Sequence, residues 1–172
     1  MEIKVVLDLP RDAVSVPVTR QILDGCLRTL GVTPDTCADI ALALSEACAN
    51  VIQHAGPGDE YEVRISAKDS RCTIEVINVG SPDGEPVPNG SGTASFPNGY
   101  GLHGRRDASS AAGGDPVSMI AEHGRGLQII DAVADNVQLT GGQQQGTTLH
   151  FEKALEWLPG AAGKQLLGAD EA

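Results

Sequence analysis

Apolar residues recur with helical spacing along the first part of the chain. Residues 3–7 alternate like a short strand, and a helix is then predicted over residues 18–30. Its apolar positions lie one, three or four residues apart: Ile22, Leu23, Cys26, Leu27 and Leu30. A second helix is predicted to end at residue 54, with Thr33 as its N-cap and Pro34 at the first helical position.

The spacing changes to strict alternation after the second helix. In residues 61–67 and 72–78, every second side chain is apolar, except that Asn78 takes the last such position. This alternation is typical of strands that bury one face. Residues 68–71 between them suit a hairpin turn. The stretch 80–124 is rich in Gly, Pro, Ser, Asn and Asp, and so long a loop within a compact domain is usually functional or mobile.

Periodic order returns after Gly124-Arg125-Gly126, where the sequence predicts a third helix and two closing strands at 137–139 and 147–151. The order of elements predicts an α+β fold, in which an antiparallel sheet is covered on one face by helices. Residues 1–152 form one domain in this interpretation. Residues 153–172 are predicted to be a loosely docked tail.

Charge and composition narrow the range of functions. The 172 residues carry a formal net charge of −11 and no basic run longer than Arg105-Arg106, so direct nucleic-acid binding is not expected. An acidic surface attracts basic protein partners, although charge also simply keeps a protein in solution. The first residues contain neither a basic leader nor a long apolar segment, which predicts a cytoplasmic protein without membrane association. The four cysteines form no CxxC pair and are predicted to be reduced, mostly buried thiols.

Three polar residues of the second helix share one face. Glu46, Asn50 and His54 are spaced by four residues, and the small residues Ala43 and Ala47 beside them leave room for a ligand. An Asn oxygen suits Mg²⁺, and a Glu can position or deprotonate a nucleophile that attacks a phosphoryl group. The alternative is that Glu46 and Asn50 are solvated helix residues.

Asn78 ends the second alternating segment on the side predicted to face the core. A buried amide without a hydrogen-bond partner costs about 1–3 kcal/mol, so this side chain requires a partner. The chain enters the long loop just beyond it, at Gly80, where a bound base could supply that partner. The alternative is a local turn in which Asn78 bonds its own backbone.

Gly124-Arg125-Gly126 precedes the predicted third helix. Free backbone N–H groups at a helix start can hold a phosphate, and glycines allow its close approach. The pattern is neither a Walker A loop nor a dinucleotide fingerprint, because no Gly-Lys-Ser/Thr follows and no strand leads directly into it.

Taken together, three motifs resemble those of the GHKL ATPase superfamily, which includes gyrase, histidine kinases and the anti-sigma serine kinases. Residues 45–55 resemble its N box, residues 124–130 its Gly-rich box and residues 146–148 its closing strand motif. The resemblance covers residues 3–152, and the size of the chain points to the anti-sigma serine kinases. It implies the Bergerat-type fold, a two-layer α+β sandwich whose mixed, mostly antiparallel sheet is covered on one face by helices.

The resemblance also implies a Mg·ATP pocket under a lid formed by residues 80–123. Glu46 would then be the catalytic base and Asn50 the Mg²⁺ ligand, while Arg20 stands where the family places an arginine for phosphoryl transfer and partner contact. The implied nucleotide contacts are Asn50, His54, Asn78, Gly80, Gly124, Arg125, Gly126, Leu127 and Thr147.

One motif departs from the family pattern. The family motif Asp-x-Gly-x-Gly is replaced here by Asn78-Val79-Gly80-Ser81-Pro82. An amide therefore stands where the family has its adenine-reading carboxylate. Because the amide is uncharged and also donates hydrogen bonds, nucleotide affinity or base preference is expected to shift by about 1–3 kcal/mol.

Partner switching is the function that the resemblance implies. The protein would sequester a sigma factor, and it would phosphorylate an anti-anti-sigma protein on serine with ATP, as a homodimer. Two alternatives stay open. Asn78 favours a non-catalytic module of the same fold that binds these partners, and a detached histidine-kinase lobe is disfavoured by Arg20 on the first helix.

Overall fold

The computed structural model describes residues 1–54, 60–78, 94–97, 116–142 and 146–167. The helices and strands, in chain order, are β1 (Glu2–Pro10), α1 (Ser15–Leu30), α2 (Pro34–His54), β2 (Glu60–Lys68), β3 (Arg71–Asn78), β4 (Ala94–Pro97), α3 (Pro116–Val133), β5 (Asn136–Gly142), β6 (Gly146–Ala154) and α4 (Ala162–Leu167). None of the helices in these ranges combines the length and the apolar character needed to cross a membrane.

Six strands form one sheet in the order β1-β2-β3-β6-β5-β4, and each neighbouring pair is antiparallel. Both β2 and β3 bury every second side chain, which is the alternation that their sequences predict. These buried residues and the buried stripes of α1, α2 and α3 form one hydrophobic cluster. The predicted α+β fold, with helices on one face of the sheet, is confirmed.

The helix α2 lies at the centre of the helical layer and packs against α1, α3 and β3. The carbonyl of Thr33 accepts a hydrogen bond from the N–H of Cys37 at 3.0 Å, so α2 begins where the sequence predicts. Its apolar face is almost completely inaccessible to solvent and consists of Cys37, Ile40, Ala43, Leu44, Ala47, Cys48 and Val51. This burial fixes the rotation of α2 and hence the direction in which its polar face points.

The turn after α1 and the turn between β2 and β3 require the left-handed backbone conformation. Gly31 ends α1 with a φ of +85°, and its N–H bonds the carbonyl of Arg28 at 3.0 Å. The hairpin between β2 and β3 turns on Asp69 and Ser70, whose φ angles are 50° and 56°. Positive φ at both central residues suits the twist of the flanking strands, and the predicted hairpin is confirmed.

The predicted start of the third helix, after Gly126, is wrong. Helix α3 begins at Pro116 and runs through Gly124-Arg125-Gly126 without a break. Proline fits the first helical position, where its missing N–H is not needed, and a single glycine inside a helix costs only about 1 kcal/mol. The stretch predicted as a loop also contains β4, which pairs with β5, while residues 79–93 and 98–115 lie outside the described ranges.

The C-terminal segment, predicted to be a loosely docked tail, is packed against the domain as far as residue 167. Its last described side chain, Leu167, is fully buried, and the carbonyl of that residue accepts a hydrogen bond from Ser70 N–H at 2.6 Å. The indole of Trp157 donates to Ser70 Oγ at 3.1 Å. Close packing depends on Gly163, because a Cβ there would lie 2.6 Å from the carbonyl oxygen of Leu30. Leu155 and Leu167 of the tail therefore belong to the core, with Trp157 packed against it.

Candidate functional site

The polar face of α2 lies at the edge of the hydrophobic core. Glu46 and Asn50 are half-buried, one helical turn apart, beside Ala43 and Ala47, which are 1% and 0% exposed. They occupy this position because the apolar stripe of α2 is held against the sheet and the neighbouring helices. The two side chains are therefore fixed at the boundary between core and solvent, instead of being extended into water.

Gly126 of α3 packs closely against this pair of side chains. A Cβ at residue 126 would lie 2.9 Å from Asn50 Oδ1, 3.1 Å from Asn50 Nδ2 and 3.1 Å from Glu46 Oε2. A Cβ essentially never lies within 3.0 Å of a non-bonded atom, so glycine lets α3 take this position without a shift of the Asn50 or Glu46 side chain. The structure thus brings together three residues that the sequence singled out separately: Glu46, Asn50 and Gly126.

The amide nitrogen of Asn50 is unsatisfied. This Nδ2 is buried and has no hydrogen-bond partner in the part of the chain that the structure describes. Carboxylate and amide oxygens are the donors that Mg²⁺ prefers, and Mg²⁺ commonly binds through one or two protein oxygens together with substrate phosphates. Within the described ranges no group of three or more His, Cys, Asp and Glu side chains could hold a metal alone. The oxygens of Glu46 and Asn50 fit a magnesium ion that a nucleotide brings with it.

Asn78 is the most informative residue of the sheet. It is 2% exposed at the end of β3, and neither its Oδ1 nor its Nδ2 has a hydrogen-bond partner among the described residues. A local turn in which Asn78 bonds its own backbone would involve residues just beyond 78, which lie outside the described ranges, so that alternative stays a prediction. An unpaired amide in a folded interior is destabilising, and such groups usually have a ligand or water as their partner.

Thr147 faces Asn78 directly across the β3–β6 pair. Opposite residues of an antiparallel pair point to the same side of the sheet, so the Thr147 side chain lies on the helix-covered face with Asn78. Leu149 and Phe151 continue that face into the core, whereas Thr147 is half-exposed. The end of the β3–β6 pair thus presents a hydroxyl and an unpaired amide side by side.

The other predicted site residues differ in their exposure to solvent. Arg20 on α1 and Arg125 on α3 are exposed, and neither forms an ion pair with a described residue. Leu127 is 5% exposed, and its side chain belongs to the hydrophobic core. Gly80 and the side chain of His54 lie outside the described part of the chain.

The predicted phosphate cradle at Gly124-Arg125-Gly126 is not formed by a helix start. These residues lie inside α3, well beyond its first turn, which begins at Pro116. Only the first four N–H groups of a helix lack partners within the helix. The role of Gly126 is instead steric, since it allows α3 to pack closely against Glu46 and Asn50.

Two basic residues that the sequence analysis did not single out hold the helices of the site in place. Lys153 Nζ forms an ion pair with Asp39 of α2 at 2.8 Å and donates a hydrogen bond to the carbonyl of Val133 at the end of α3, at 2.6 Å. Arg11 Nη2 donates to the carbonyl of Val51 in the last turn of α2 at 2.9 Å. No sequence pattern marks these residues, because their partners are far away along the chain.

The buried cysteines of α2 and β3 are not suited to nucleophilic chemistry. Burial raises the pKa of Cys48, on α2, to about 12, and it raises the pKa of Cys72, on β3, to about 12. Both thiols therefore stay protonated near neutral pH. The prediction of mostly buried, unpaired thiols holds for Cys37, Cys48 and Cys72, while Cys26 is exposed.

Comparisons with known proteins agree with this arrangement. A family model described as a histidine kinase-like ATPase domain matches residues 9–153. The chain is 26% identical over 153 residues to serine-protein kinases RsbW of Bacillus cereus (strain AH820) and Bacillus anthracis (strain CDC 684 / NRRL 3495), covering 89% of this chain and 86% of each relative.

A crystal structure of the RsbU and RsbW domains of Rv1364c from Mycobacterium tuberculosis has a similar fold, with a TM-score of 0.58 and 18% sequence identity. The match covers 89% of this chain and 32% of that longer chain. At this level of identity the likeness concerns the fold alone.

Proposed function

Since this chain belongs to the histidine kinase-like ATPase family, we propose that it is an anti-sigma factor with ATP-dependent serine-kinase activity. In this proposal it sequesters a sigma factor in the cytoplasm, and it phosphorylates an anti-anti-sigma protein on serine. The similarity to proteins named serine-protein kinases supports the catalytic part of the proposal. It favours a kinase over a non-catalytic module of the same fold.

The contact of Gly126 with Glu46 and Asn50 is the observation that carries the proposal. It gathers a carboxylate, an amide oxygen and a helix backbone without a side chain at one place on the edge of the core. The Glu46 carboxylate would accept the proton of the attacking serine hydroxyl, and Asn50 Oδ1 would hold Mg²⁺. When bound, the ion would neutralise charge on the phosphate oxygens.

The base would occupy the end of the β3–β6 pair. There Asn78 supplies the buried, unpaired amide and Thr147 supplies a hydroxyl on the same face. A ligand that completes the hydrogen bonds of Asn78 removes the penalty of about 1–3 kcal/mol that an unpaired buried group imposes. Nucleotide binding is therefore expected to stabilise the fold as well as to supply the phosphoryl group.

The surface charge and Arg20 support the proposal that this chain binds protein partners. The net charge of −11 favours a partner with a basic surface, and the exposed Arg20 is available to contact a partner or a phosphoryl group. We include a homodimer in the proposal because dimers are common among the anti-sigma serine kinases that the motifs resemble.

Phosphoryl transfer from ATP to a purified anti-anti-sigma protein tests the proposed activity. The wild-type chain is expected to transfer phosphate to serine in the presence of Mg²⁺, whereas Glu46→Gln should bind Mg·ATP but transfer little phosphate. A partner whose acceptor serine is replaced by alanine is the control. Tight binding of the partner without any transfer by the wild type would contradict the kinase and support the non-catalytic alternative. Transfer to histidine would instead indicate a detached histidine-kinase lobe.

A further inference from the structure

The Asn78 side chain is buried, and no hydrogen bond to a described residue fixes the orientation of its amide. It is 2% exposed, and both Oδ1 and Nδ2 lack partners within the described ranges. The side chain ends a strand whose other buried positions, Cys72, Ile74 and Val76, are apolar. Nothing bonded to Asn78 favours one orientation of the amide over the orientation in which oxygen and nitrogen exchange places.

An amide differs from a carboxylate in the ligands that it recognises. It presents one acceptor oxygen and one donor NH₂ group, so it pairs with a ligand edge that carries a donor and an acceptor side by side. An ionised carboxylate only accepts hydrogen bonds, and it repels a ligand carbonyl placed against it. Asn78 therefore fits a neutral heterocyclic edge. The order of donor and acceptor along that edge is not fixed, because the amide can turn over.

Purine bases present such an edge in two opposite senses. Adenine carries an exocyclic amine donor beside a ring nitrogen acceptor, whereas guanine and hypoxanthine carry a carbonyl acceptor beside a ring N–H donor. Asn78 can pair with either edge after a half-turn of its amide. The neighbouring Thr147 does not oppose this exchange, because a hydroxyl also donates or accepts according to its rotation.

We infer that this site binds 6-oxopurine nucleotides such as GTP as well as ATP, and that Asn78 is the residue that determines this relaxed base selectivity. The inference rests on the proposed nucleotide-binding function and adds the class of nucleotide to it. The affinities for Mg·ATP and Mg·GTP should lie within about tenfold of each other, since each base makes the same number of hydrogen bonds to the amide.

Calorimetric titration of the whole chain with Mg·ATP, Mg·GTP and Mg·ITP tests the inference on the wild type and on Asn78→Asp. The aspartate variant should bind ATP at least about tenfold better relative to GTP than the wild type does, because its carboxylate accepts from the adenine amine and repels the 6-oxo group. Thr148→Val is a matched control, since Thr148 points to the opposite face of β6, and it should leave both affinities unchanged.

The outcomes separate this inference from the proposed function. Wild-type binding of ATP with GTP weaker by a hundredfold or more would overturn relaxed selectivity and leave the proposed kinase intact. Equal binding of both nucleotides by the wild type and by Asn78→Asp would show that another residue sets the selectivity. Binding of no purine nucleotide would overturn the proposed function, and this inference with it. Should Asn78→Asp fail to fold, the ratio of the two wild-type affinities still tests relaxed selectivity. Asn78→Ser then tests whether Asn78 determines it, and this variant is expected to weaken binding of both nucleotides alike.

Discussion

Gly126 of α3 lies against Asn50 of α2 so closely that a Cβ at residue 126 would stand 2.9 Å from Asn50 Oδ1. The backbone of one helix thus limits the position of the proposed magnesium ligand on another. Because Glu46 Oε2 is 3.1 Å from the same point, the proposed catalytic base is limited in the same way. The close packing of α2 on α3 therefore also determines the geometry of the site.

Gly126→Ala is expected to weaken Mg·ATP binding by about tenfold or more, because Asn50, Glu46 or the whole of α3 must move by several tenths of an ångström. Calorimetry measures the affinity, and thermal unfolding reports on the fold. Gly25→Ala is the control: residue 25 lies in α1 with nothing within 4 Å of a Cβ, so alanine should stabilise the fold by about 0.5–1 kcal/mol and leave binding unchanged. Unchanged nucleotide affinity in Gly126→Ala would show that the close contact has no functional role.

Asn50→Ala should abolish the stabilisation that Mg·ATP gives, while the melting temperature of the ligand-free protein stays near that of the wild type. Saturation at a hundred times the dissociation constant stabilises a protein by about 2.7 kcal/mol, which a thermal shift detects easily. Little stability should be lost without ligand, since the buried Nδ2 of Asn50 makes no hydrogen bond to any described residue. A large fall in the melting temperature of the ligand-free variant would make Asn50 a structural residue.

Lys153→Met should destabilise the fold by about 1–3 kcal/mol, because it removes a hydrogen bond to the Val133 carbonyl and the ion pair with Asp39. It should also weaken nucleotide binding, since Lys153 joins the two helices that carry the site. Urea unfolding and calorimetry measure the two effects. Lys68→Met is the comparison, because Lys68 makes only an exposed pair with Asp69 at 3.8 Å and should change stability by less than about 1 kcal/mol. Equal effects of the two substitutions would refute the linking role.

Tyr61→Phe is expected to cost about 1 kcal/mol at neutral pH, because the buried Tyr61 hydroxyl forms a hydrogen bond with Ser15 Oγ at 2.7 Å. Burial raises the pKa of Tyr61 from 10.0 to about 12. A pKa that is higher in the folded state than in the unfolded state gives stability below pH 10 that is lost as the pH rises through 12.

The alkaline range therefore distinguishes wild type from Tyr61→Phe. The wild type should lose this part of its stability between pH 10 and 12, whereas the phenylalanine variant has no such group to ionise. Urea unfolding at several pH values should show the two free energies of unfolding converging as the pH increases. A constant difference across that range would mean that the Tyr61 hydroxyl ionises equally in both states.

Much of the fold could be predicted because local pattern and tertiary structure agree. The alternation in β2 and β3 predicted which side chains are buried, including the polar Asn78 at the end of β3. The four-residue spacing on α2 placed Glu46 and Asn50 on one face. In each case the pattern within a single helix or strand was sufficient for the prediction.

What sequence reasoning missed depends on contacts between distant segments. The ion pair of Lys153 with Asp39 and the docking of Leu167 beneath the hairpin turn leave no local pattern. The start of α3 was predicted too late because glycines were interpreted as a boundary. In the structure Gly126 is required inside the helix by its neighbours on α2. The glycine was recognised as important, but the reason is packing instead of a turn.

The docked C-terminal segment has a practical consequence for anyone who defines this domain from its motifs. A fragment that stops at residue 152 would retain every proposed nucleotide contact and yet lose Leu155, Ala161 and Leu167, all of which are buried. It would uncover the end of α1 and the turn between β2 and β3, against which this segment packs. Poor recovery or aggregation of such a fragment would reflect a badly chosen boundary, and inactivity measured on it would say nothing about the proposed kinase activity.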